Sequence, residues 1–339
     1  MTLRRYNGPT MTVVVNPRAG RGRAARTLPR VLAELVQSRP DSHLVVHQTT
    51  SFDDARLRTI QAVERARPTE PGEPGDSLIV MGGDGMAHLG VNACAGTQVT
   101  LGVIPAGTGN DFCRGVGIPS SIAAATRVVA DGSTARIDVN RASGSLVDGA
   151  ESRYVGCTVS TGYDARVNLR TNDSKMALGA LAYGWVALSE LARFEPMDYR
   201  ISIDGHRSEL PAMLVAVSNS AYIGGGMQIA PGADPTDGLL DVTVIHPVSR
   251  ATLLRLMPSL YTGKFIKDPA VEQLRARSVV VDGQPGMYAM ADGERLAERV
   301  PVTIEVVPGS LSIYRTGQQP TGLGSTHGSH RARGRGLPR

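Results

Sequence analysis

No stretch of this chain is apolar for long enough to cross a bilayer. The apolar run MALGALAYGWVAL (176–188) soon meets Glu190 and falls short of the roughly 20 residues a transmembrane helix needs. An integral membrane protein is excluded on that count, whereas contact with a membrane surface is not. The opening residues carry no apolar segment of signal-peptide length, so a cytoplasmic location is expected. Cysteine is scarce as well. Cys94, Cys113 and Cys157 are odd in number, far apart and without metal-ligand spacing, which argues for reduced packing thiols. Lysine is nearly absent, and the formal net charge of +5 rests almost wholly on arginine. A charge of that size admits attraction to anionic lipid but alone says little about partners. No nucleic-acid partner is inferred, and no internal repeat is visible.

The 339 residues suffice for two domains with a sizeable core, and the ordinary apolar content excludes a largely disordered chain. MTVVVN, HLVVHQT, SLIVM and VTLGVI read as buried strands. Between them lie helical patterns at Ala19–Ser38 (Leu28, Val31, Leu32, Leu35 and Val36 in register) and at Asp53–Arg67, with Asp53 as its expected N-cap. Ser120 and Ser121 open another helix, reaching Ala130. Alternating strands and helices imply an α/β domain with a doubly wound, mostly parallel sheet over residues 1–133.

From Thr134 the texture changes to short runs: ARIDVNR, RYVGCTVS, YRISIDG, AMLVAVS, LLDVTVI, SVVVD, VTIEVV and LSIYR. These predict a mostly antiparallel β-sandwich domain over 134–316, interrupted by helices at Met176–Phe194 and Ser249–Tyr261. Residues 317–339 have no apolar period and read as a disordered basic tail.

Two glycine turns end consecutive strands, GGDG (82–85) and GTGND (107–111). In open α/β sheets ligands bind at that carboxyl edge. Glycine lets backbone approach a ligand closely, so that successive N–H groups converge on an anion, and a following helix N-terminus adds favourable partial charge. Gly82, Gly83 and Gly85 form one such nest; Gly107 and Gly109 form the other. Asp84 inside a ring of donors suits a site that also holds a divalent cation or a sugar hydroxyl. Together the turns point to a nucleotide polyphosphate with Mg²⁺. GRGRAA from Gly20 mimics a dinucleotide fingerprint, but that motif requires an acidic residue closing the second strand. The strand here ends in Thr49 and Thr50, which argues against a dehydrogenase.

These residues resemble the soluble lipid kinases that carry a diacylglycerol-kinase catalytic domain. VVVNPRAGRG is similar to the opening N-P-x-x-G of that family, MGGDG to its GGDG turn, and LGVIPAGTGNDFCRGVGIP to its G-T-x-N-D-F block. STGYDARV, GGGMQIAPGADPTDGLLDV and ADGE follow in the family's order. The likeness runs from about Thr12 to Tyr314. It implies ATP contacts at Asn16, Pro17, Arg18, Ala19 and Gly20, at Thr49, and along Gly82, Gly83, Asp84, Gly85, Met86, Ala87, His88 and Leu89. Gly107, Thr108, Asn110 and Asp111 complete that set. It implies that Asp234, Asp237 and the carbonyl of Leu239 hold a structural Mg²⁺, and that Glu294 accepts the proton, with Asp292 and Asp84 as rival bases. Two positions depart from the family: Met86 replaces a threonine or serine and Leu89 an acidic residue.

The implied activity is ATP- and Mg²⁺-dependent transfer of the γ-phosphoryl group to a lipid hydroxyl. Diacylglycerol is the expected acceptor, giving phosphatidic acid. Sphingoid bases stay open, because His88 also resembles sphingosine kinases. A soluble kinase such as NAD kinase is the enzyme alternative, and a nucleotide- or lipid-binding regulator without turnover, favoured by Met86 and Leu89, is the other. A lipid kinase is expected to touch the membrane peripherally. Tyr183 and Trp185 suit an interface, as do the arginines at 18, 21, 23, 26 and 30 and those at 331, 333, 335 and 339. A helix packed on the sandwich and solvated charge explain the same features. A homodimer is left open.

Overall fold

The computed structural model describes residues 8–67, 75–162 and 195–316. The first strands are β1 (Thr10–Val15), β2 (His43–Gln48), β3 (Ser77–Gly82) and β4 (Thr100–Pro105). They pair in the order β2-β1-β3-β4, all parallel. Helices α1 (Ala19–Ser38), α2 (Phe52–Glu64), α3 (Asp84–Cys94), α4 (Asp111–Gly115) and α5 (Ile122–Asp131) connect and follow them. Strand residues point alternately to the two faces. Val13, Val15, Ile79, Met81 and Ile104 therefore meet Leu28 and Leu35 of α1 and Val128 of α5. Val14, Leu78, Val80 and Val103 meet Ala55, Val91 and Cys94 on the other face. With both faces covered, the strands read as continuous apolar runs, and all three cysteines are buried and free.

The second half contributes β5 (Thr134–Leu146), β6 (Ser152–Val155), β7 (Thr158–Gly162), β8 (Met197–Ile203), β9 (His206–Ala212), β10 (Leu214–Ser218), β11 (Tyr222–Ile223) and β12 (Met227–Gln228). β13 (Leu240–Ile245), α6 (Arg250–Leu260), β14 (Val271–Ala276), β15 (Ser278–Gly283), β16 (Ala289–Ala291) and β17 (Glu294–Tyr314) complete it. Among these strands the pairings are antiparallel, along β14-β13-β10-β7-β16-β17, with β15 and β8 continuing from β17. The fold is thus an α/β domain with a mostly parallel sheet followed by an antiparallel β-sandwich.

Three local features differ from expectation. Helix α2 is capped by Ser51, whose hydroxyl accepts the Asp54 N–H at 3.1 Å; Asp53 lies inside the first turn. In α1, residues Gly20, Arg21 and Gly22 are left-handed, so regular helix begins at Arg23. Glycine is required at 20, since a Cβ there would run into the Ala106 carbonyl. VTIEVV and LSIYR belong to one long strand, β17, with a register shift between Val307 and Leu311. Its end pairs in parallel with β4 through Ile313 and Leu101, joining the two halves into one sheet.

Among the described residues no helix is long and apolar enough to cross a membrane. The Met176–Phe194 segment, Tyr163 and Asp164 of STGYDARV, and the basic tail lie outside the described residues.

Candidate nucleotide cleft and catalytic hairpin

The two glycine turns interlock. The Ala106 and Gly107 N–H groups both donate to the Gly82 carbonyl, at 2.7 and 3.1 Å. A Cβ on Gly107 would lie 2.5 Å from the Gly83 Cα, so only glycine permits this approach. Asn110, itself left-handed with φ 56°, braces the second turn. Its side chain accepts the Gly107 N–H and donates to the Gly107 carbonyl, both at 3.1 Å. Asp84 opens α3 and accepts the N–H groups of Asn110 (2.7 Å) and Phe112 (3.3 Å). Burial pushes its carboxyl above the usual range, against those backbone donors.

A cleft of about 430 Å³ opens between the turns. Its walls include Asn16, Arg18, Ala19 and Gly20 after β1, Thr49 after β2, Gly83 to Met86, and Gly107 with Thr108. Arg21 also faces the cleft. Arg23 clasps the opposite turn by donating to the carbonyls of Ala106 (3.2 Å) and Gly107 (3.1 Å). Pro17, Gly82, Ala87, His88, Leu89, Asn110 and Asp111 are not among the lining residues. Ala87 and Leu89 pack into the core beneath α3. Met86 is also almost wholly buried and lies against Gly82, which is why apolar residues are accommodated at 86 and 89.

Across from the turns, β11 and β12 flank Gly224, Gly225 and Gly226, all at positive φ. The Gly225 N–H donates to Asp111 Oδ2 at 2.6 Å. This third glycine loop was not singled out from sequence as a site element, although three adjacent glycines were its visible signal. Asp111 Oδ1 is buried without a hydrogen-bond partner. Burial, with the charge of Asp84 adding to it, pushes the Asp111 carboxyl up to about 6 from 3.8. Above pH 6 both folded and unfolded chains carry the charge, and the fold bears the cost; below about pH 4 both are protonated and the cost disappears. Asp111→Asn is therefore expected to stabilise the nucleotide-free, metal-free protein by on the order of 1–3 kcal/mol at pH 8. Thermal melts at pH 8 and pH 4 check this. A loss of stability at pH 8 would contradict it.

Glu294 begins β17 directly after the Asp292-Gly293 turn, whose residues have φ 48° and 87°. Positive φ at both central residues suits a two-residue hairpin. The turn residue Asp292 is fully engaged, accepting the N–H groups of Gly156, Cys157 and Thr158 at 3.0, 3.0 and 3.1 Å. His88 Nδ1 lies 3.5 Å from Asp292 Oδ2, and Asn92 ties His88 to Tyr154 of β6. His88 thus faces the hairpin and not the cleft between the glycine turns. Glu294 Oε1 lies 3.8 Å from where a Gly85 Cβ would be, which brings its carboxylate over the GGDG turn.

The Asp234–Leu239 turn is held by its own contacts. Asp234 accepts the Thr236 N–H (3.0 Å) and hydroxyl (2.7 Å). Asp237 accepts the Leu239 N–H at 3.0 Å and pairs with Arg275. Arg275 Nε also lies 3.6 Å from Asp241 Oδ1. Among the described residues no three His, Cys, Asp or Glu side chains converge as a metal cage.

An α/β half with interlocked glycine turns is thus joined to a β-sandwich that presents a carboxylate to them. Residues 10–142 match the diacylglycerol kinase catalytic domain, and residues 157–315 match the YegS C-terminal NAD kinase beta sandwich-like domain. A diacylglycerol kinase of Mycobacterium tuberculosis (strain ATCC 25618 / H37Rv) is 34% identical over 315 residues, covering 92% of this chain and 97% of the relative. The chain belongs to the diacylglycerol kinase family. The crystal structure of a diacylglycerol kinase from Bacillus anthracis str. Sterne is similar, with TM-score 0.67 and 22% identity over 94% of this chain and 99% of that one. Yeast NADH kinase shares the fold at TM-score 0.50 and 13% identity, covering 91% and 83%.

Proposed function

We propose that this chain is an ATP- and Mg²⁺-dependent lipid kinase that transfers the γ-phosphoryl group to the hydroxyl of diacylglycerol or a similar lipid alcohol. The observation that carries the reading is the placement of Glu294 over the turn that also holds Asp84, next to a cleft walled by two glycine turns. In this reading residues 1–133 bind the nucleotide and residues 134–316 supply the catalytic hairpin. Backbone N–H groups of Gly83 to Gly85 and of Thr108 and Gly109 cradle the phosphates, while Arg18 and Arg21 add charge. Phosphoryl transfer needs positioning and charge neutralisation more than covalent chemistry. Glu294 takes the acceptor's proton. Asp292 is committed to backbone donors and positions the hairpin.

The unpartnered Asp111 Oδ1 beside Asp84 fits a divalent cation, so these two carboxylates would hold Mg²⁺ at the phosphates. Bound there, the ion would neutralise charge developing on the transferring group. At the second place, Asp234, Asp237 and Leu239 would hold a cation only with Arg275 displaced from Asp237. The net positive charge is compatible with a peripheral, cytoplasmic membrane surface as the meeting place with substrate.

ATP consumption on mixed micelles, with diacylglycerol, sphingosine and NAD run in parallel, tests the reading. Turnover on diacylglycerol is expected. Turnover on NAD alone would end the lipid assignment, and nucleotide binding without turnover on any acceptor would make the chain a regulator.

A further inference from the structure

We propose that the acceptor alcohol enters from the α2–α3 side, through a second cavity separate from the nucleotide cleft. The inference rests on the kinase reading above and adds the acceptor's location and character. The cavity, about 260 Å³, is walled by Phe52, Arg56 and Ile60 of α2, Ala93 of α3, Asp148 in the turn between β5 and β6, and Arg153 of β6. Glu294 lines this cavity and does not line the nucleotide cleft, whereas Asp84 lines only the cleft. Phe52 lines both. Gly85 lies at the junction: a Cβ there would stand 3.6 Å from the Phe52 ring and 3.8 Å from Glu294 Oε1.

The walls have the chemistry of an amphiphile's head. Asp148 faces two guanidiniums, pairing with Arg153 and lying 3.8 Å from Arg56. With Glu294 on the same wall the lining is formally neutral, so it is the guanidinium N–H donors of Arg56 and Arg153, not a net charge, that suit ester oxygens next to the reacting hydroxyl. The volume is below the roughly 300–1,000 Å³ of pockets that enclose drug-sized ligands. It takes a glycerol-sized head and leaves the chains outside. Phe52 and Ile60 at this cavity, and Val147 next to Asp148, are among the few large apolar side chains left exposed in the described residues, at 47%, 39% and 39%. Chains running across them bury that surface. In the transfer, the acceptor proton passes to the Glu294 carboxylate and the acceptor oxygen bonds to the γ-phosphorus. The bond from that phosphorus to the β,γ-bridging oxygen breaks, and the nucleoside diphosphate leaves with the electron pair.

Ala93→Trp, which fills the cavity, and Ile60→Glu, which places a charge at its exposed mouth, test the assignment. Each is expected to raise the KM for diacylglycerol in micelles at least about tenfold, with nucleotide Kd within twofold of wild type. Unchanged acceptor KM in both variants overturns the proposal. A photoreactive short-chain diacylglycerol gives a readout independent of turnover. Label on α2 and residues 147–153 supports the site even if no lipid alcohol is phosphorylated, in which case the kinase reading alone fails. Label elsewhere, or none, overturns it.

Discussion

Asp84→Ala lowers kcat on a lipid alcohol by at least about 10³-fold, the largest effect expected of any single substitution. Removing one preorganised stabiliser of transition-state charge typically costs about 10²–10³ in kcat, and Asp84 serves twice. It orders the second glycine turn through the Asn110 and Phe112 N–H groups, and it is one of two carboxylates proposed to hold the cation. The fold is expected to survive. Deleting the side chain leaves two backbone donors unpaired, at about 1–3 kcal/mol each, but it also removes a carboxylate whose ionised form burial opposes. Asp84→Asn keeps one acceptor oxygen, enough for one of those two donors, because Asn110 and Phe112 bond different carboxylate oxygens. It should fold with a lowered melting temperature and still lose activity. Steady-state turnover with nucleotide titration and thermal melts gives all three quantities. Activity within tenfold of wild type in Asp84→Asn contradicts the assigned role.

Glu294→Gln is expected to lower kcat by about 10²–10⁴-fold, the usual contribution of a positioned general base. Nucleotide Kd should stay within twofold, because Glu294 is not part of the nucleotide cleft wall. Asp292→Asn provides the contrast. One Asp292 carboxylate receives three backbone N–H groups, so its amide isostere should lower the melting temperature first and activity through it. Full activity in Glu294→Gln, with loss in Asp292→Asn at unchanged stability, would exchange the two roles.

The parallel half was legible because β1, β3 and β4 are buried on both faces, so their apolar runs need no partner to be recognised. The start of α1 was not, since the carbonyl that Gly20 approaches, that of Ala106, lies far along the chain. The return of β17 to β4 was hidden for a related reason: the Ile313–Leu101 pairing leaves no mark on local periodicity. At the site, GGDG and GTGND announced a paired turn by composition alone. The Asp111–Gly225 hydrogen bond could not be read, because 114 residues separate its partners. His88 and Leu89 follow the first turn directly in sequence, yet helical rotation sends them to the hairpin and the core.

The central claim is that a nucleoside triphosphate sits between the interlocked glycine turns. A crystal structure with a non-hydrolysable ATP analogue and magnesium tests it most directly. The account expects the β- and γ-phosphates on the N–H groups of Gly83 to Gly85 and of Thr108 and Gly109, with the metal density beside Asp84 and Asp111. Nucleotide bound elsewhere while that cleft stays open and empty would contradict it.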